Sequence, residues 1–280
     1  MLGILCSGQG MQDAGGLAAL CAADAAAADV VQRISARLGR DLTDDAPDLF
    51  ANAWAQPWIF AYQAAAWAAL GPRLPRPRAV AGYSLGEMAA YACAGALDPV
   101  EGAALTRRRA ELMDGASPTA GGLVAARGLA ESRIAALCAA HGLHVAIVNG
   151  PDRLVVGGAA ASLAGFADAV AALGGQTTPL NVRVASHTPE MLPAVGPFAA
   201  ALAASGLGAS ERWASGLGAP GIPVGAGVDA DPVDGDAEVG GSRAQIAAVK
   251  HGEQVVLAAD GQGGVLGEEH DVVDIHQGPE

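Results

Sequence analysis

Three side chains in this sequence are of kinds that could act together on an acyl group: Ser84 in Gly82-Tyr83-Ser84-Leu85-Gly86, Arg109 in Arg107-Arg108-Arg109, and His187 in Ala185-Ser186-His187-Thr188. GxSxG is the pattern of a nucleophile elbow, in which a strand turns sharply into a helix at the serine and the flanking glycines avoid a Cβ clash. Amides at the start of that helix would lie beside the serine, where an oxyanion could be held. With 39 glycines in the chain the motif also arises by chance, so a structural turn serine is the competing reading.

Arg109, stepped at about 100° per residue, falls on the same stripe as Leu105, Leu112 and Met113, while Arg107 points nearly the other way. A guanidinium on a core-facing stripe needs an anion, either an internal Asp or Glu or a substrate carboxylate taken as a bidentate pair. His187 is either a general base for the serine or a satisfied histidine of a loop. Gln9 and Asn149, taken alone, read as turn residues.

The elements that must carry these residues are legible in outline. Leu2–Cys6 is a short apolar run that stops at Ser7-Gly8-Gln9-Gly10, the pattern of a buried strand ending in a tight loop. Alanine-rich helices follow to about residue 70; the last of them, uncharged over residues 51–72, is interrupted by Asn52, Gln56, Pro57 and Gln63 and reads as a buried helix from near Pro57 rather than a membrane span. Ala79–Gly82 is a strand, and Leu85, Met88, Ala89 and Ala92 then recur at helical spacing. Asp98-Pro99-Val100-Glu101 opens another helix through a capping box, running to about Met113.

Residues 121–184 have a different rhythm. Strand 121–127, helix 129–141, strands 143–149 and 153–158, helix 160–173 and strand 177–184 make βαββαβ, a ferredoxin-like unit inserted between two halves of a larger domain. After about residue 205 glycine rises and periodicity fades. The GxGxxG match at 216–221 has no strand before it and Pro220 within it, which argues against a dinucleotide site.

The bulk numbers limit the partners. A net charge of −13 disfavours nucleic acid and anionic membrane, which need a basic face. Cys6, Cys21, Cys93 and Cys138 have no paired framework and no CxxC spacing, as expected of free thiols in a cytoplasmic protein, and no metal cluster is visible. The first residues lack the basic region of a signal peptide.

Gly8-Gln9-Gly10-Met11-Gln12, Gln56-Pro57, Gly82-Tyr83-Ser84-Leu85-Gly86-Glu87, Arg109 with Met113, Asn149-Gly150-Pro151 and Ser186-His187 follow one another as in the malonyl-CoA:acyl-carrier-protein acyltransferase family, which the chain resembles from Leu2 to about Leu207. The resemblance implies an α/β fold. A hydrolase-like core with a parallel sheet would occupy residues 1–117 and 188–280, a ferredoxin-like small domain 118–187, and an atypical Gly-rich tail 206–280. It implies that Ser84 attacks the thioester of malonyl-CoA, that His187 takes its proton, and that Arg109 holds the malonyl carboxylate. It also implies an oxyanion hole from the backbone N–H groups of Gln9 and Leu85, with Gln56, Asn149 and Met113 lining the pocket and Gln245 orienting the histidine. No bound cofactor is implied.

Tyr83 and Asn181-Val182-Arg183-Val184-Ala185-Ser186-His187-Thr188-Pro189 are most similar to the acyltransferase (epsilon) subunit of malonate decarboxylase. That branch implies as partners an acyl-carrier protein with a phosphopantetheine-type thiol and other malonate decarboxylase subunits. The alternatives are a fatty-acid-synthesis transacylase, a serine thioesterase or esterase with Asp152 or Asp168 as the triad acid, and a non-catalytic docking subunit.

Overall fold

A computed structural model of the chain describes residues 2–10, 12–44, 48–117, 119–205, 221–222 and 224–225, together with the backbone of short strands between 232 and 261. β1 (Gly3–Cys6) leads through α1 (Ala14–Ala23), α2 (Ala25–Leu38) and α3 (Asn52–Leu70) to β2 (Ala79–Gly82), which pairs with β1 in parallel, Cys6 opposite Gly82. β1 is not the buried strand its apolar run predicts: it is the edge of its sheet among the described residues, and Leu5 is 64% exposed while Cys6 is buried.

α3 starts at Asn52, a turn and a half before Pro57, which lies inside it. Proline has no N–H for the carbonyl four residues back and normally breaks a helix there. Here Ala53 O accepts from Arg40 Nη2 at 3.0 Å, so the freed carbonyl is satisfied from outside the helix. The guanidinium of Arg40 also lies 4.1 Å from the ring centre of Trp54, one residue along.

β2 passes through the Ser84 turn into α4 (Leu85–Cys93), and α5 (Pro99–Ala116) follows, three residues longer than expected. Its cap is as the sequence predicts, Asp98 Oδ1 accepting from Val100 N at 2.8 Å and Glu101 N at 3.1 Å. α3 packs against α2, α4 and α5, and Phe60, Ala61 and Ala65 at this junction are fully buried. Small side chains let these helices approach closely: a Cβ on Gly102 of α5 would come within 2.3 Å of the Phe60 ring.

The next segment forms its own sheet from β3 (Gly121–Arg127), β4 (His144–Gly150), β5 (Arg153–Ala159) and β6 (Gln176–Pro179), in the order β4-β5-β3-β6 with every pair antiparallel. α6 (Glu131–His141) and α7 (Ala160–Ala172) pack on one face, where Val124, Leu154 and Val156 meet Ile134, Phe166 and Val170. Alternation along the strands turns Leu123 and Val155 the other way, into the larger core. The strand expected over 177–184 stops at Pro179. Proline offers the ladder no N–H, and just beyond it Val182 N folds back onto Leu180 O at 2.8 Å.

α8 (Leu192–Ala204) returns to pack on α5, β7 (Val224–Gly225) adds to β2 in parallel, and β8 (Pro232–Val233) lies antiparallel beyond it. Residues 206–220, including most of the GxGxxG match, lie outside the described residues. Among the described residues no helix is long and apolar enough to cross a membrane and no cluster of His, Cys, Asp or Glu could hold a metal. All four cysteines are free thiols, Cys21 half-buried and the others buried.

Candidate active site

Ser84 stands at the junction of β2 and α4 with φ 54° and ψ −112°, a conformation that L residues rarely adopt and that costs about 1–3 kcal/mol. The two glycines of the motif make this bend possible. A Cβ on Gly82 would sit 2.2 Å from Glu87 N, and one on Gly86 would sit 2.1 Å from Cys6 O, so strand and helix are packed backbone to backbone. Ser84 occupies the N-cap position of α4 without its side chain capping the helix, which leaves the hydroxyl for other partners.

Those partners come from distant parts of the chain. His187 Nε2 lies 2.9 Å from Ser84 Oγ, and Arg109 Nη2 lies 3.4 Å from it. His187 also has positive φ, 62°, in a turn closed by Thr188 Oγ1 donating to Ala185 O at 2.6 Å. The imidazole is buried, and burial, then the nearby charge of Arg109, lowers its pKa to about 4. Neutral imidazole with Nε2 facing a hydroxyl is the state of a general base. Among the described residues Nδ1 has no hydrogen-bond partner. Gln245, expected to orient the ring, falls on a two-residue strand paired with Asp260–Gly261, and its side chain lies outside what is described.

Arg109 is 2% exposed on α5. Burial lowers its pKa to about 10, partly offset by the negative charge of Glu87 on α4, so it stays cationic at neutral pH. Nη1 donates to Gln56 Oε1 at 2.8 Å, and Nε has no hydrogen-bond partner among the described residues. Gln56 in turn donates from Nε2 to Asn52 Oδ1 at 2.8 Å and to Met113 Sδ at 3.3 Å.

These groups line one cavity of about 70 Å³, space for about five water-sized groups at roughly 15 Å³ each. Gln9, Gln56, Ser84, Leu85, Arg109 and His187 contribute from the core. The facing wall is apolar: Leu123, Ile147 and Val155 from the small sheet and Leu180, Val182 and Val184 from the segment after β6. The loop carrying Gln9 is held at both ends. Gln63 Nε2 bonds Ser7 O at 2.8 Å, and Gln12 accepts from Gly10 N at 2.9 Å while donating to Leu49 O at 3.1 Å. The amides of Gln9 and Leu85 have no acceptor among the described residues.

Asn149 is the exception among the expected pocket residues: it is exposed and does not line the cavity. β4 and β5 lose register between Val148 and Gly150, and that bulge leaves Asn149 unpaired at the rim, where its side chain lies near the Tyr83 hydroxyl, whose pKa burial raises and Asn149 partly lowers. Asp152 and Asp168, the acids an esterase triad would need, are both exposed on the small unit. Asn52 and Asp114, which join the polar chain behind Arg109, escape sequence reading; the one available signal is the four-residue spacing of Asn52 and Gln56 on an uncharged helix.

A family model described as the acyl transferase domain matches residues 4–214. The chain is 38% identical over 155 residues to mycoketide-CoA synthase of Mycobacterium tuberculosis, a match covering 55% of this chain and 4% of that protein. It is 34% identical over 210 residues to the malonyl CoA-acyl carrier protein transacylase of Escherichia coli K12, covering 70% of this chain and 67% of the other. The crystal structure of FabD from Acinetobacter baumannii superposes with a TM-score of 0.71 at 27% identity, covering 82% of this chain and 74% of that one. The chain thus corresponds to a small part of the synthase and about two thirds of the transacylase.

Proposed function

The chain belongs to the acyl transferase domain family, whose model spans residues 4–214, and from that premise we propose that it transfers malonyl from malonyl-CoA through an ester on Ser84 to the thiol of an acyl-carrier protein. The observation that carries the reading is a single cavity in which Ser84 Oγ has a neutral imidazole at 2.9 Å and a buried guanidinium at 3.4 Å. A base next to a hydroxyl serves any acyl transfer. The cation is needed only when the acyl group ends in an anion.

His187 takes the Ser84 proton as Oγ adds to the thioester carbonyl, and the amides of Gln9 and Leu85 hold the resulting oxyanion. Collapse breaks the C–S bond, and the departing thiolate of CoA takes the proton from His187. The carrier thiol then runs the sequence in reverse: His187 removes its proton, sulfur adds to the ester, and Ser84 leaves with the proton. Arg109 keeps the malonyl carboxylate in place through both steps, with Gln56 beside it and Met113 in the wall. Neither step requires a cofactor. The apolar wall that holds water away from the ester favours transfer over hydrolysis, and exposed Asp152 and Asp168 give an esterase triad no acid.

We read the architecture as a hydrolase-like core, residues 1–117 and 188–280, interrupted by a ferredoxin-like domain over 118–187; the strand order β4-β5-β3-β6 with two helices on one face supports this. The carrier of malonate decarboxylase is the finer reading, supported by Tyr83 and the residues around His187. A fatty-acid-synthesis carrier fits the comparisons equally.

Mass spectrometry of the protein mixed with malonyl-CoA tests the proposal. A malonyl adduct on Ser84 that a carrier thiol discharges is the expected result; free malonate without an adduct points to a hydrolase, and no reaction to a docking role.

A further inference from the structure

Behind Arg109, helices α3 and α5 share a chain of hydrogen bonds whose polarity is fixed from its far end. Ala110 O accepts from Asn52 Nδ2 at 3.2 Å, and Asp114 Oδ1 accepts from the same nitrogen at 3.1 Å. A backbone carbonyl can only accept, so the amide nitrogen of Asn52 must be the end that faces it. Asn52 Oδ1 is then the end left for Gln56, whose Nε2 donates to it at 2.8 Å, and Gln56 Oε1 is the end left for Arg109 Nη1, also at 2.8 Å. Asn52, Gln56 and Arg109 are 4%, 1% and 2% exposed, so no exchange with bulk water competes with this arrangement.

The consequence falls on the guanidinium. Its Nη1 spends one of its two N–H bonds on Gln56, Nη2 lies 3.4 Å from Ser84 Oγ, and Nε is buried without a partner among the described residues. The group is planar, so fixing Nη1 on Gln56 also fixes where the Nη2 hydrogens point beside Ser84. A Gln56 amide turned over would point N–H at N–H and push the guanidinium out of this orientation.

We propose that Asn52, anchored by Ala110 O and Asp114, is a positioning residue for acyl-group selection: its fixed amide fixes that of Gln56, and so makes Arg109 hold Nη2 beside Ser84 for the acyl carboxylate. The inference rests on the malonyl reading of the site and adds to it the residues that enforce the choice. An acyl group without a carboxylate does not use that donor and is indifferent to it.

Asn52→Leu removes the oxygen that accepts from Gln56 Nε2, leaving the weaker acceptor Met113 Sδ, and tests the inference. Acylation of Ser84 by malonyl-CoA is expected to fall about tenfold in kcat/KM while acylation by acetyl-CoA changes by less than about twofold. The paired substitution Asn52→Asp with Asp114→Asn keeps an acceptor facing Gln56 and moves the donor to position 114, while Ala110 O loses its donor; it is expected to recover part of the malonyl preference, which Asn52→Asp alone does not. Should Asn52→Leu fail to fold, Asn52→Ala is read in the same way. Equal losses for both acyl donors, or an unchanged preference, overturn the inference. A readout without turnover separates it from the function itself. In protein labelled with 15N-arginine, the Nη resonances that vanish in Arg109→Lys are expected to be distinct in the unsubstituted protein and averaged in Asn52→Leu. Identical spectra overturn the positioning role, whereas an unsubstituted protein that never forms a malonyl adduct overturns only the proposed function.

Discussion

The guanidinium of Arg109 and the imidazole of His187 converge on one hydroxyl, Nη2 at 3.4 Å and Nε2 at 2.9 Å from Ser84 Oγ. The pair is therefore coupled electrostatically, and burial together with the Arg109 charge brings His187 down to about 4. A base with that pKa is neutral through the whole neutral range. The kcat/KM for acylation is expected to stay level across about pH 5.5–8 and to decline only as pH approaches 4, with no limb near the ordinary histidine value of 6.5. Once a substrate carboxylate offsets Arg109, the second cause is removed, so the acid limb of kcat lies above that of kcat/KM. A pH–rate profile by stopped flow checks both.

The same depression affects folding, and its sign follows from which state takes the proton first. Between pH 6.5 and about 4 the unfolded chain binds a proton that the folded chain does not. The contribution of His187 to stability is therefore complete above 6.5 and is lost as pH falls to about 4, an amount of about 3 kcal/mol at 1.36 kcal/mol per unit. Urea denaturation at a series of pH values, compared with His187→Gln, isolates this slope; parallel curves for the two proteins would count against a buried neutral imidazole.

Arg109→Ala is expected to lower acylation by malonyl-CoA about a hundredfold, the scale of a lost charge-assisted pair in a buried site, and to leave acetyl-CoA nearly unaffected. Removing the cation also lets the His187 pKa rise, so the acid limb should move upward in the same variant. An equimolar competition between the two thioesters, read from the mass added to Ser84, measures the first effect directly.

Cys6 O leaves no room for a side chain at position 86, since an added Cβ would lie 2.1 Å away, against backbone that cannot yield. Gly86→Ala is expected to cost several kcal/mol, at the extreme of single substitutions, and to give little soluble protein. Gly115→Ala is the internal contrast. It lies within α5 with nothing inside 4 Å of its would-be Cβ, so the gain in helix propensity should stabilise by about 0.5–1 kcal/mol. Thermal melts of the two variants decide the matter.

What could be read in the sequence differs by kind of interaction. Strand 79–82, the elbow after it and strand 121–127 are set by local pattern and glycine placement, and their bounds agree residue for residue with β2 and β3. Arg109 could be singled out because a charged residue on an apolar helical stripe is anomalous by itself. The start of α3 could not, because Pro57 is a breaker unless Arg40 reaches Ala53 O, and that partner is 13 residues away in sequence. The place of Asn149 at the rim was not legible for a similar reason: a bulge reverses which face a strand residue takes, and nothing local announces it. Asn52 and Asp114 are ordinary polar residues until the packing of α3 on α5 brings them together.

Tyr83 is 48% exposed at the mouth of the cavity and its hydroxyl lies near Asn149, so the two side chains bring the turn of Ser84 up to strand β4 on the other wall. Its ring also crosses Gly8, where an added Cβ would lie 3.1 Å from Cδ1, so the ring packs on the loop that carries Gln9. Tyr83→Phe keeps the ring and removes only the hydroxyl that faces Asn149. A polar contact between exposed neutral groups is worth at most about 0.5–1 kcal/mol, so folding should change little, but the two walls part more often and admit water to the ester. The malonyl ester on Ser84, formed in the absence of carrier, is expected to hydrolyse about threefold faster, the rate equivalent of ~0.7 kcal/mol. Asn149→Ala should do the same, and the double substitution should be no worse than either alone, because both delete one interaction. Additive effects on ester lifetime would mean that each side chain shields the site separately and that no tie exists.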